Sequence, residues 1–138
     1  MPNTVLIVDD SGLMRNTIRQ IIAVDTDLEV IGEAEDGIVA LEKIRSLKPD
    51  VVLLDIEMPR LDGMAVLKRA RLTSSAKVII LSSLTQLGSP MALEARRLGA
   101  AEVIAKPSGT ISLDLEARRG SDILRIVRAV LKLPANPG

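Results

Sequence analysis

The sequence predicts an α/β fold: a five-stranded parallel sheet, doubly wound, with helices on both faces. Short β-branched runs alternate five times with longer amphipathic stretches, the pattern of repeated βα units. Most of those runs are continuously apolar, as strands covered on both faces are, rather than alternating.

In chain order the strands fall at residues 5–8, 29–34, 51–54, 78–81 and 102–105. The first helix opens near Ser11 and carries Met14, Ile18, Ile21 and Ile22 on one face. Asp36 can cap a second, running through Ile38, Leu41 and Ile44 and ending at Lys48, Pro49 and Asp50. A short third helix follows Gly63, and a fourth includes Met91, Leu93, Ala95 and Leu98 before Gly99. The fifth spans about 121–132, where Ile123, Ile126, Val127, Val130 and Leu131 recur at helical spacing. Residues 107–120 read as a long connection, and loops of that length are more often functional than idle. One domain is expected over 1–132, with 133–138 as the start of a linker or a frayed tail.

Composition narrows the chemistry. The chain has no Cys and no His, so disulfides, thiolate nucleophiles, Cys-based metal centres and Ser-His-Asp triads are excluded. With no Phe, Trp or Tyr, there is no aromatic platform for stacking bases. The 18 basic and 18 acidic residues cancel, so no overall field favours nucleic acid or an anionic membrane, and neither nucleic-acid binding nor membrane insertion is expected. The N-terminal MPNTVLIVDD has no basic segment before its apolar run, and a cytoplasmic location is expected. Carboxylate, hydroxyl, lysine and hard-metal chemistry remain.

The polar residues that matter sit where apolar runs end. VLIV is followed by Asp9 and Asp10, VVLL by Asp55, VIIL by Ser82 and Ser83, and VIA by Lys106. In an open parallel sheet all carboxyl ends point one way, so these groups converge on the edge where ligands bind. Three close carboxylates either take up protons or demand a cation. An all-oxygen donor set favours Mg²⁺, with Mn²⁺ or Ca²⁺ as substitutes. Three carboxylates plus Lys106 leave a charge that one divalent ion neutralises. Mg²⁺, a lysine and a hydroxyl beside a carboxylate make a place for a phosphoryl group.

VDDS at 8–11, LLDIEMPRLDG at 53–63, Ser82-Ser83 and AKP at 105–107 together resemble the signature of two-component response-regulator receiver domains, over nearly the whole chain. Within that family DSGLMR at 10–15, DIEMP at 55–59, SSLTQLG at 82–88 and KPSGTISLDLE at 106–116 resemble the receiver portion of chemotaxis protein-glutamate methylesterases. The resemblance implies a flavodoxin-like strand order 2-1-3-4-5. It implies that Asp55 accepts a phosphoryl group from a chemotaxis histidine kinase, that Asp10 binds Mg²⁺ directly, that Asp9 helps place it, and that the backbone carbonyl of Glu57 completes the protein ligands. Lys106 would hold Asp55 and then a phosphoryl oxygen, Ser82 would donate to another, and Lys106–Pro107 would be a cis peptide. The stretch 108–116 would help dock a methylesterase catalytic domain in cis.

Two departures stand out. The family usually carries Phe or Tyr three residues before the lysine, as a ring that turns inward on phosphorylation, and this chain has Val103. Without His it cannot itself supply the methylesterase triad. The alternatives are a free-standing receiver, a pseudo-receiver that acts only by binding partners, and a metal-dependent phosphotransferase using Asp55 and Glu57 as a DxE pair. Singly, each residue also has a plain reading: Asp10 as a helix cap, Ser82 as a turn residue, Lys106 as a solvated lysine, and Arg125, Arg128 and Lys132 as a solvated face.

Overall fold

The computed structural model describes residues 2–56, 62–83, 87–107 and 113–134, with side chains described throughout except over 113–121. Ten elements alternate along the chain: β1 (Asn3–Val8), α1 (Gly12–Ala23), β2 (Leu28–Ala34), α2 (Gly37–Leu47), β3 (Val51–Asp55), α3 (Gly63–Thr73), β4 (Lys77–Ser82), α4 (Pro90–Arg97), β5 (Glu102–Ala105) and α5 (Leu113–Val130). The five strands form one sheet in the order β2-β1-β3-β4-β5, and every neighbouring pair is parallel.

Side-chain alternation along the strands divides the core into two layers. Val5 and Ile7 of β1, Val51 and Leu53 of β3, Ile79 and Leu81 of β4 and Ile104 of β5 pack with Ile18 and Ile22 of α1 and Ile123 and Val127 of α5. The intervening residues, Leu6, Val8, Val52, Leu54, Val78, Ile80 and Val103, pack with Ala40 and Ile44 of α2, Val66, Leu67 and Ala70 of α3, and Ala92 and Ala95 of α4. Caps start the helices where the chain leaves the sheet: Ser11 Oγ accepts from Met14 N, Asp36 from Ile38 N and Val39 N, Asp62 from Ala65 N, and Ser89 from Ala92 N. Lys48, in the left-handed region at φ 49°, ends α2.

The strands and the caps at Ser11 and Asp36 match the sequence reading, and three expectations need correction: the start of α5, the form of the Lys106–Pro107 peptide and the reading of Arg128 as part of a solvated face. Ile38 is 47% exposed and Met91 and Leu93 face solvent, because the inward stripes are Gly37, Ala40 and Ile44 in α2 and Ala92 and Ala95 in α4. α5 begins at Leu113, so its first turns occupy sequence that read as loop; an interior Gly120 costs a helix only about 1 kcal/mol relative to Ala. The Lys106–Pro107 peptide is trans, the form an X-Pro bond favours by roughly 0.5–1 kcal/mol.

At the amino-terminal edge of the sheet, away from the strand ends that matter chemically, Arg128 is buried and fixes the end of α5. Its Nη1 donates to Asp25 Oδ2 at 2.8 Å and Asp27 Oδ2 at 2.9 Å, and its Nε to the Pro134 carbonyl at 2.8 Å. Removing one partner of such a pair strands a buried charge. Arg128→Met is therefore expected to lower the melting temperature, read by circular dichroism, by more than Arg125→Met on the exposed face.

At Gly63 the start of α3 lies against the backbone at the end of β3. A Cβ there would stand 2.5 Å from the Asp55 carbonyl oxygen and 2.8 Å from Ile56 Cα, both rigid backbone. Gly63→Ala is expected to cost on the order of 1–3 kcal/mol in chemical denaturation. Gly12→Ala, whose Cβ meets only the end of Arg15 at 3.5 Å, is expected to be neutral or stabilising.

Candidate functional site

Parallel register places the candidate side chains. Val8 pairs with Leu54, so Asp9 and Asp55 follow one another across β1 and β3 at the carboxyl edge. Asp55 pairs with Leu81 and Ser82 with Ala105, which puts Ser82 and Lys106 one step further along β4 and β5. The ladder continues there, since Lys106 N donates to the Ser82 carbonyl at 2.8 Å. Alternation then decides sides. Asp9, Asp55 and Lys106 share the parity of Ile7, Leu53 and Ile104, on the α1/α5 side, whereas Ser82 shares that of Ile80.

Each carboxylate of Asp9, Asp10 and Asp55 offers an oxygen within 4.8 Å of the others. Asp9 and Asp55 are buried and Asp10 is exposed. Lys106 reaches in from β5, with Nζ 3.0 Å from Asp55 Oδ1 and 3.4 Å from Asp9 Oδ2. The second contact is an ion pair without hydrogen-bond alignment, so Asp9 Oδ2 is a buried oxygen with no hydrogen-bond donor. Asp9 Oδ1 accepts from Ser11 N at 2.9 Å. The Ser82 hydroxyl, fully buried, donates to the Ser83 carbonyl at 3.2 Å, a long bond that a better acceptor can replace.

The electrostatics are those of an undersatisfied acidic pocket. Burial pushes the Asp9 carboxyl above its ordinary value; the Ser11 N–H and Lys106 pull the other way and do not offset it. Burial also works against the Lys106 ammonium, yet its hydrogen bond to Asp55 and the attraction of Asp9 and Asp55 raise its pKa overall. An orphaned carboxylate oxygen among all-oxygen donors fits a hard divalent cation such as Mg²⁺.

Asp9, Asp10, Asp55 and Lys106 are thus brought together, with Ser82 beside them on the neighbouring strand. Glu57, whose carbonyl was expected among the ligands, lies outside the described residues, as does 108–112 of the expected docking stretch. Sequence reasoning assigned nothing to Arg15, although it closes the DSGLMR segment. Its Nη1 donates to the Asp9 carbonyl at 2.7 Å and its Nε to Glu33 Oε1 at 3.0 Å.

A doubly wound α/β protein with an acidic, lysine-bearing pocket at its strand ends is the class that fold and site define. Residues 5–118 match the response regulator receiver domain family, and the chain belongs to it. Protein-glutamate methylesterase/protein-glutamine glutaminase 1 of Syntrophomonas wolfei is 54% identical over 111 residues, covering 80% of this chain and 32% of that protein. The corresponding protein of Pyrococcus horikoshii is 42% identical over 130 residues, covering 94% of this chain and 35% of that one. The chain thus spans about a third of the length of these curated relatives. The response regulator domain of Thermotoga maritima CheB superposes with a TM-score of 0.85 at 40% identity, covering 97% of this chain and 99% of that one. A chain from the complex of the CheA3 P1 domain with CheY6 of R. sphaeroides gives 0.80 at 42% identity, covering 95% and 98%. No helix among the described residues is long and apolar enough to cross a membrane.

Two outcomes are expected from the pocket's charges. The folded protein prefers Asp9 protonated relative to an ordinary carboxyl near 3.8, so ionised Asp9 costs stability at neutral pH. Asp9→Asn should therefore melt a few degrees higher than wild type in chelator. For Lys106 the sign is opposite. Its raised pKa contributes stability that is full below the ordinary value of 10.5 and is lost as pH rises through the higher folded value. With no Cys or Tyr to titrate alongside, denaturant melts should show the stability gap between wild type and Lys106→Met narrowing above that pH.

Proposed function

We propose that this chain is the phosphoacceptor domain of a chemotaxis response regulator, and that it controls a methylesterase output domain. The observation that carries this is the cluster of Asp9, Asp10 and Asp55 oxygens within 4.8 Å of one another, with Lys106 Nζ 3.0 Å from Asp55. Asp10 and Asp55 would hold Mg²⁺, or Mn²⁺ in its place, with Asp9 placing it and the Glu57 carbonyl completing the set. When bound, the ion neutralises charge on the transferring phosphoryl oxygens.

Asp55 is the nucleophile. One of its carboxylate oxygens attacks phosphorus in line, the P–N bond to the kinase's phosphohistidine breaks, and an acyl phosphate forms on Asp55. Lys106 leaves its bond with the free carboxylate and holds a phosphoryl oxygen. The Ser82 hydroxyl turns from the Ser83 carbonyl to donate to another, drawing in the chain after β4 and biasing α4 between two arrangements. Water attacking the acyl phosphate ends the signal. Residues 1–132 form the receiver, and 133–138 are the start of the linker to that output domain.

Likeness to protein-glutamate methylesterases over about a third of their length, 32% in one case and 35% in another, supports an output domain in cis that hydrolyses glutamate methyl esters. A chemotaxis histidine kinase is the phosphodonor this reading requires. The likeness to a chain from a CheA3 P1–CheY6 complex supports it.

The experiment is intact-protein mass spectrometry after incubation with acetyl phosphate, in Mg²⁺ or in chelator. One Mg²⁺-dependent phosphoryl adduct is expected on wild type and none on Asp55→Asn. No adduct on wild type in Mg²⁺ would reject phosphoacceptance in favour of a pseudo-receiver.

A further inference from the structure

We infer that Arg15, aligned by Glu33, is a positioning residue that sets the Asp9–Asp10 turn for cation binding; this rests on the proposed metal site and deepens it. Asp9 is fixed at three points. Its N–H donates to the Ala34 carbonyl at 3.0 Å, its Oδ1 accepts from Ser11 N at 2.9 Å, and its carbonyl accepts from Arg15 Nη1 at 2.7 Å. The last bond orients the peptide plane between Asp9 and Asp10. Asp10 is exposed and its carboxylate has no hydrogen bond or ion pair among the described residues, so the backbone that Arg15 holds is what sets the place from which its side chain projects.

The guanidinium that makes this bond is itself held. Arg15 Nε donates to Glu33 Oε1 at 3.0 Å, and Arg19 takes the other oxygen, Oε2, at 2.7 Å. Lys43 of α2 donates to the Glu33 carbonyl. Glu33 therefore ties α1 and α2 to the end of β2 and presents Arg15 in a fixed fork, which a lysine cannot reproduce. Two effects of Arg15 on a nearby cation have opposite signs. Its charge repels the ion and is screened by Glu33; its bond to the Asp9 carbonyl organises the ligands. Outer partners of metal ligands typically govern affinity by tenfold or more, so the organising effect is the larger.

The test is isothermal titration of Mg²⁺ into wild type, Arg15→Met, Arg15→Lys and Glu33→Gln, with each variant's melting temperature measured in chelator. Positioning predicts roughly tenfold weaker binding for Arg15→Met, only partial recovery in Arg15→Lys, and an intermediate loss in Glu33→Gln. Tighter binding in Arg15→Met with wild-type affinity in Arg15→Lys would mean that charge alone acts, and would overturn the inference. Lower melting temperatures with unchanged affinities would assign Arg15 to stability only and overturn it too. Absence of Mg²⁺ binding in wild type would overturn the metal site and this inference with it, whereas wild-type binding with indifferent variants would overturn this inference alone.

Discussion

The arrangement depends on one ammonium group held between two buried carboxylates. Lys106, at the end of β5, lies 3.0 Å from Asp55 and 3.4 Å from Asp9, whose strands sit side by side in the middle of the sheet. That contact crosses β4 and exists only because β3, β4 and β5 run parallel in a register that brings their ends together. It balances one of the three acidic charges and leaves Asp9 Oδ2 without a hydrogen-bond donor. A fold that brings such groups together without neutralising them has stored a demand for a cation.

Much of this was legible in the sequence because strand ends are legible. Apolar runs stop abruptly at Asp9, Asp55, Ser82 and Lys106, and a parallel sheet turns a linear list of run ends into a spatial cluster. Helix faces were harder where the inward residues are small. Ala40, Ala92 and Ala95 turn toward the sheet, while the larger Ile38, Met91 and Leu93 of the same two helices are exposed, so the size of an apolar residue does not mark the inward face there. The start of α5 was hidden by Gly120, which punctuates sequence more strongly than it breaks a helix supported by tertiary packing. The link from Arg15 to Asp9 runs from a side chain to a backbone carbonyl six residues earlier, and no residue type at position 9 signals an acceptor that every residue possesses.

Val103 bears on how a change at Asp55 would travel. It is buried in the same layer as Ala92 and Ala95 of α4. Beyond these small contacts α4 is tied to β5 through Arg96, which pairs with Glu102 at 2.8 Å on a half-exposed surface. Exposed pairs contribute about 0–1 kcal/mol.

The pocket is an acidic site left short of positive charge, and the pKa of Asp9 tests this most directly. Carbon-detected NMR titration of metal-free protein, with the carboxyl of Asp9 resolved, should give a midpoint above the ordinary 3.8, falling when Mg²⁺ is added. A midpoint at or below that value, unmoved by Mg²⁺, would show that Lys106 and Ser11 already satisfy Asp9 and that the site makes no demand for a cation.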